Sequence, residues 1–306
     1  HELSHYGSPT VRENLHFYIG PWRQYPGIEG GETDEWDNGR NLTDILIEWF
    51  DHWLYGKKND ISMKPPIFLH TMGKVEYRYE DQWPLQSTNF TPFYFVSQKS
   101  ANSIQGDGRL ELNLPDDGSN TEADSYFYNP MDPVPCRSGI VISPGDSLRQ
   151  SQDEVEMRKD VLVYSTEVLK SDMEVTGPIK VNLWASSSAI DTDFTAKLVN
   201  VLPDGTTYNI VEGIIRARFR DGLDREQLLI PGAIYLFTID LGATGMVFVK
   251  GNKIRVEISS SNFPKHDRNM NTGNPVGEDS EGIIAEQIIY HDAKHPSHIV
   301  LPVINR

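Results

Sequence analysis

The feature that most constrains this chain is a change of period near Lys64-Pro65-Pro66. Before it, Leu42, Ile45, Leu46, Trp49, Phe50, Trp53 and Leu54 recur at i, i+3, i+4, i+7, i+8, i+11 and i+12, one broad apolar stripe of an α-helix. Asn41 suits its N-cap and Gly56 its end. After it, the period is two. Leu110, Leu112 and Leu114 alternate with polar residues, as do Ile179, Val181 and Leu183, and 215–220 and 253–258 repeat the pattern. Successive strand side chains point to opposite faces, so each segment reads as a half-buried antiparallel strand.

Further strands are expected over 67–71, 93–97, 161–165, 194–202, 234–240, 284–290 and 299–303, with Pro203-Asp204-Gly205 as a turn. Many strands and no second strong helix make a mainly β fold. A two-sheet sandwich of jelly-roll topology protects its edges most economically. Ahead of it, the apolar run Leu15-His16-Phe17-Tyr18-Ile19 ends at Gly20-Pro21, as a buried strand entering a loop does. A length of 306 residues allows about two domains. The division expected is 1–60 for the α/β portion and 61–306 for the sandwich.

Charge narrows the partners. With 28 Lys+Arg against 44 Asp+Glu the chain carries −16, which repels phosphate backbones and anionic lipid, so neither nucleic acid nor a membrane surface is expected. The acidic, Gly-rich segment 24–40 reads as a solvated loop rather than a cation site. The stretch 228–249 is broken by Pro231, Gly232, Asp240, Gly242 and Gly245, so it cannot be a continuous membrane helix, and a soluble protein is expected. Cys136 has no intrachain partner, which leaves the compartment open. The opening HELSHYGSPT has no basic region, apolar core or Met, so a signal peptide would have to precede His1.

Several ordered motifs then carry a resemblance. Ile19-Gly20-Pro21-Trp22 is followed by Trp49-Phe50-Asp51-His52-Trp53-Leu54-Tyr55-Gly56, then by Asp124-Ser125-Tyr126-Phe127-Tyr128-Asn129-Pro130, Val175-Thr176-Gly177-Pro178 and Ser188-Ala189-Ile190-Asp191-Thr192-Asp193-Phe194. Pro203-Asp204-Gly205 and the run from Phe263 to Gly273 complete the series. Over nearly its whole length the chain resembles the C-terminal portion of the CocE/NonD family, the cocaine-esterase-like serine hydrolases. The resemblance implies an α/β-hydrolase domain with a helical cap followed by a jelly roll like that of X-Pro dipeptidyl-peptidases. It implies ester or amide hydrolysis of a small-molecule substrate by a Ser, His, Asp triad, without a cofactor.

The triad is incomplete. No Gly-x-Ser-x-Gly elbow occurs, and the nearest look-alike, Gly145-Asp146-Ser147, lacks the second Gly. By the resemblance, the Asp would lie ahead of His1, and the His would stand two residues after the Trp of Gly-Pro-Trp. Here that position is Gln24. A neutral amide does not titrate near pH 7 and cannot take a serine proton, so general-base catalysis there would be lost. Either the complete protein is a non-catalytic relative, or a histidine from a shifted loop serves. His16 and His52 read as structural or solvent-facing. Trp22, Tyr25, Trp36 and Trp83 are the candidates to line a substrate pocket, with core or interface packing as the alternative.

Other clusters have plainer readings. His291, His295 and His298 have metal-like spacing, but Pro296 and flanking strands favour a hairpin loop, and no metal is expected. Asp191 and Asp193 are expected to make turn or backbone hydrogen bonds rather than hold a cation. Arg216, Arg218 and Arg220 form a stripe on one strand face, expected to pair with nearby carboxylates. The competing function is a non-catalytic jelly-roll module, binding carbohydrate or serving structurally, which a planar row of exposed aromatics would favour. One strand and one helix cannot cover a parallel sheet. An exposed apolar patch is therefore expected around Phe17, Ile19, Trp49 and Trp53 unless a homo-oligomer or a missing N-terminal domain covers it.

Overall fold

The computed structural model describes residues 6–20, 42–74, 76–98, 100–116, 123–137 and 151–305. Three helices occur among them, α1 (Pro9–Glu13), α2 (Leu42–Tyr55) and α3 (Asp153–Glu156). The first strands are β1 (Phe17–Ile19), β2 (Ile67–Thr71), β3 (Glu76–Glu80), β4 (Thr88–Val96), β5 (Arg109–Glu111), β6 (Asp124–Tyr128) and β7 (Leu162–Ser165). They are followed by β8 (Met173–Ser187), β9 (Asp193–Val201), β10 (Thr207–Arg216), β11 (Tyr235–Phe248), β12 (Lys253–Ser259), β13 (Ala285–Tyr290) and β14 (His298–Ile304).

Eleven strands join in the order β10-β9-β12-β7-β5-β4-β14-β8-β13-β6, with β11 also paired to β8. The path folds over on itself. Phe194 of β9 and Phe237 of β11, from strands not paired with each other, meet at 4.8 Å between ring centroids. Phe95 of β4 stacks on Tyr164 of β7 at 4.5 Å. The alternating apolar residues of β8, Ile179, Val181, Leu183 and Ala185, are all buried in this core, which is what a period of two accomplishes when one face is covered.

A smaller sheet holds β1, β2 and β3. β1 runs parallel to β2, with Phe17, Tyr18 and Ile19 opposite Ile67, Phe68 and Leu69. The strand over 67–71 is therefore present where the pattern placed it, but it extends β1 rather than the sandwich, so the pairing crosses the division drawn at 60/61. Two backbone bonds seat this sheet against the sandwich: the Met72 amide to Gly245 O and the Val247 amide to Met72 O, each 2.8 Å. Gly73 permits the approach. It lies at φ +84°, and a Cβ there would meet Val247 O at 2.1 Å, so only glycine fits. Arg78 on β3 adds an ion pair to Glu174 on β8.

Helix α2 closes as expected at Gly56, at φ +64°, with the Gly56 and Lys57 amides turned back to the carbonyls of His52 and Asp51 at 3.1 and 3.0 Å. Two strand expectations need correction. The strand expected through Leu114 stops at Glu111, and Leu112 and Leu114 are exposed. Strand β10 stops at Arg216 and becomes a 3-10 turn over Ala217–Phe219, so Arg216, Arg218 and Arg220 do not share a strand face. The cause is local: Asp191 Oδ1 accepts the Arg218 amide at 3.0 Å and Thr192 O accepts the Ala217 amide at 2.9 Å, drawing the backbone out of the ladder. Strands β3 and β6 escaped the sequence reading.

Candidate functional site

Of the residues proposed for a site, Trp22, Gln24, Tyr25 and Trp36 lie outside the described residues. Trp83 lies between β3 and β4, 38% exposed, away from both the groove beside Phe127 and the pocket beside Arg216. What the structure does place is β1 and helix α2, on either side of the stretch from Trp22 to Trp36 in the sequence. Strand β1 is an edge strand, and Phe17 and Ile19 are each 43% exposed. Helix α2 buries Ile45 but exposes Leu46, Ile47, Phe50, Trp53 and Leu54. The expected apolar patch is thus present at Phe17, Ile19 and Trp53, whereas Trp49 is only half-exposed, stacked between His16 at 5.5 Å and Trp53 at 5.7 Å. Burial against this helix lowers the His16 pKa. The His52 ring meets Trp53 edge-on at 4.9 Å.

A serine, a histidine and an aspartate do meet, though elsewhere. At the end of β4, Ser97 Oγ donates to Asp124 at 2.9 Å and lies 3.2 Å from His291 Nε2. The same Nε2 is 3.1 Å from Asp124 Oδ2, which also accepts from the Tyr164 hydroxyl at 2.8 Å, and Asp124 Oδ1 accepts the Ala101 amide at 2.8 Å. A hydrolytic triad needs the carboxylate on one ring nitrogen and the hydroxyl on the other. Here one nitrogen faces both groups, His291 Nδ1 has no partner, and Ser97, Asp124 and His291 are 1–2% exposed. No substrate reaches this serine, so the cluster pins strands β4, β6, β7 and the β13–β14 connection. Burial pushes the Asp124 carboxyl up, but the hydrogen bond and charge of His291 and the bonds from Ala101 and Tyr164 outweigh it and hold it below the usual range. His291 is therefore buried, and the connection that carries it is not the hairpin loop expected, since β13 and β14 lie on either side of β8. His295 and His298 diverge from it, His295 onto Asp292 and the edge of Trp184, His298 onto Asn182 and Tyr94. Trp184, Tyr290 and Tyr94 are half-buried beside these imidazoles rather than laid out as an exposed row.

The acidic pair and the arginines form a second lock. Arg216 grips Asp193 with Nε and Nη2 at 2.9 and 3.0 Å, and Arg218 Nε reaches Asp191 Oδ2 at 2.9 Å. Asn269 Nδ2 bridges both carboxylates at 2.9 Å. Burial raises the Asp193 pKa against the opposing pull of Arg216. Arg220 turns away and covers the Tyr235 ring at 4.5 Å. Every oxygen named here has a cationic or amide donor, which leaves no coordination shell for a cation. Among the described residues no group of three or more His, Cys, Asp or Glu is placed to hold a metal. None of their helices is long and apolar enough to cross a membrane.

Comparison with known proteins agrees with the motif series. Residues 59–300 match the family described as the X-Pro dipeptidyl-peptidase C-terminal non-catalytic domain. The chain is 45% identical over 309 residues to the cocaine esterase of Rhodococcus sp. (strain MB1 Bresler), a match covering 97% of this chain and 53% of that protein. Its structure resembles an aminopeptidase from a marine sediment Thaumarchaeota archaeon, at TM-score 0.81 and 26% identity over 99% of this chain and 52% of the other. An α-amino acid ester hydrolase shares the fold, at TM-score 0.74 and 24% identity over 94% and 50% of the two chains. The chain spans about half the length of these curated relatives, the cocaine esterase and a putative serine esterase of Mycobacterium bovis.

Proposed function

Because the chain belongs to the family of the X-Pro dipeptidyl-peptidase C-terminal non-catalytic domain, within the CocE/NonD hydrolases, we propose that it is the rear portion of an acyl hydrolase. In the complete protein an ester or amide substrate would be cleaved by a serine triad whose attacking residues lie outside these 306 residues. The support is structural as well as familial. A parallel strand pair is normally buried on both faces and continued at both edges. Among the described residues β1 has no strand on its outer edge, and beside it stands a helix that turns much of its apolar stripe to solvent. An amphipathic helix normally packs its apolar stripe against a further layer of the fold. Residues 1–60 are on this reading the tail of an α/β-hydrolase domain, and the β-rich remainder is its annex.

Gln24 occupies the proton-shuttle position of this reading. The chain alone then hydrolyses nothing, since neither elbow serine nor titrating base is present. Hydrolysis of p-nitrophenyl acetate and of an aminoacyl p-nitroanilide is to be measured for this chain and for the gene product that includes whatever is encoded ahead of His1, each with Gln24 and with Gln24→His. Turnover in the longer product alone supports the reading. A gain on Gln24→His marks a non-catalytic relative, and turnover indifferent to that change marks a relocated base. Turnover by the 306-residue chain itself overturns it in favour of a self-contained enzyme. An inactive longer product without a Gly-x-Ser-x-Gly elbow favours a binding module.

A further inference from the structure

Strand β12 alternates Ile254, Val256 and Ile258, which enter the main core, with Arg255 and Glu257 on its other face. That second face is charged and nevertheless buried. Lys197 of β9, Arg255 and Glu257 of β12 and Glu156 of α3 are all 1–6% exposed. Glu257 and Lys197 are register partners, with Lys197 Nζ 3.6 Å from Glu257 Oε2. Helix α3 and the residue before it are fastened over them. Arg255 Nη1 donates to Glu156 Oε2 at 2.5 Å, Lys197 Nζ donates to Gln152 Oε1 at 3.2 Å, and the Gln152 amide donates to Thr207 Oγ1 at 3.1 Å. Val155 completes the contact by packing with Val134, Val161 and Val163.

Two carboxyl groups meet beneath this cover. The Glu156 and Glu257 side chains lie within hydrogen-bonding reach of each other. Among the described residues no N–H or other O–H bonds to Glu156 Oε1 or to either oxygen of Glu257. Ionised carboxylates only accept, so two of them in contact need one proton between them. Protonated Glu257 supplies it and donates to Glu156, whose other oxygen takes Arg255. The charged groups facing Glu257 are Lys197 from β9, Arg255 from its own strand and Glu156 from α3, while β7 brings only Val163 to this register. Burial, the largest influence, and Glu156 favour the acid form, against Lys197 and Arg255.

We propose that α3 is a proton-dependent latch: its closure over β9 and β12 traps one proton between Glu257 and Glu156, and loss of that proton releases residues 152–157 from the sheet. The device does not depend on the hydrolase reading, because no residue of 1–60 takes part. Its sign follows from linkage. With the latch open, Glu257 meets water and titrates at the ordinary 4.5; with it closed, burial pushes the carboxyl up to about 8. Closure therefore binds a proton. It is most favoured below about pH 4.5, and the open fraction grows about tenfold per pH unit until it levels off above about 8.

The test is amide hydrogen exchange of the chain, corrected for intrinsic base catalysis, at Ile104, Gln152 and Glu156. These amides report the latch: that of Ile104 donates to Glu156 O at 2.7 Å and that of Glu156 to Gln152 O at 2.9 Å. Their protection should fall at least about tenfold between pH 6 and pH 8, and they should open more readily than the amides of β8. Glu257→Gln keeps a donor to Glu156 but no titrating proton, and it should hold their protection level over the same interval. The side-chain carboxyl ¹³C signal of Glu257 in the unaltered chain should titrate between pH 6 and pH 9. Level protection in the unaltered chain, a fall that persists in Glu257→Gln, or amides that open only together with β8 overturns the proposal. So does a Glu257 signal without a step in that interval, a measurement that decides the matter even if Glu257→Gln does not fold.

Discussion

Asp124 shows how one buried carboxylate can fasten several strands. It accepts from Ser97, Tyr164, Ala101 and His291 at once, and removing a partner of a buried charge costs about 3–5 kcal/mol. His291→Ala should therefore lower unfolding stability by about 3 kcal/mol in urea titration, whereas Ser97→Ala should cost about 1–2 kcal/mol. Because the folded Asp124 pKa lies below its ordinary value, its stabilisation is complete above about pH 4 and is lost as pH falls through the folded value. Asp124→Asn should flatten the acid limb of the stability profile. Glu257 behaves in the opposite sense. Burial, offset in part by Lys197 at 3.6 Å and reinforced by the neighbouring Glu156 carboxyl, pushes its carboxyl up to about 8. A raised carboxyl pKa makes the folded state bind the extra proton, so stability declines as pH rises from about 4.5 towards 8. Glu257→Gln should remove that decline, as thermal melts between pH 5 and pH 9 would register. A wild-type melting temperature that is flat across this interval would contradict the assignment. None of this was legible beforehand. The sequence marks His291 only as one of three spaced histidines, and its burial depends on strands more than a hundred residues away.

At the scale of elements, period carried the reading well and context decided the rest. The alternation in β8 and β12 and the helical stripe of α2 correspond to observed elements, although β12 is buried on both faces and α2 buries only Ile45. Leu112 and Leu114 alternate just as cleanly, yet they have no neighbouring strand to cover them, and the strand ends. The arginine stripe failed for a different reason: Asp191 captures the Arg218 backbone, which a pattern of side chains cannot reveal. Strand β3, Glu76–Glu80, was missed because its alternation is of aromatic and charged residues rather than of apolar and polar ones. The uneven burial of α2 gives a direct prediction. Phe50→Ser and Leu54→Ser, at 50% and 70% exposed, should change stability by less than about 0.5 kcal/mol while reducing self-association in sedimentation experiments. Ile45→Ala, which opens a cavity, should cost about 2–4 kcal/mol.

At the scale of the whole molecule, the sandwich closes around a buried core, whereas among the described residues β1 and α2 leave apolar side chains exposed. The core of Phe95, Tyr164, Phe194 and Phe237 is fully buried, while the parallel edge at β1 and the outer side of α2 end in solvent. The motif series made the family legible in the sequence, since ordered signatures survive where single residues drift. The proposed division of labour was legible only by resemblance, because no Gly-x-Ser-x-Gly elbow occurs in these 306 residues. The central claim is that these 306 residues hold no working nucleophile. Intact-mass analysis after exposure to a fluorophosphonate, which phosphonylates an activated serine hydroxyl with loss of fluoride, tests it most directly. The account predicts no added mass, with Ser97 unmodified in its sealed cluster. Stoichiometric labelling of one serine, abolished by His291→Ala while the fold persists, would contradict it.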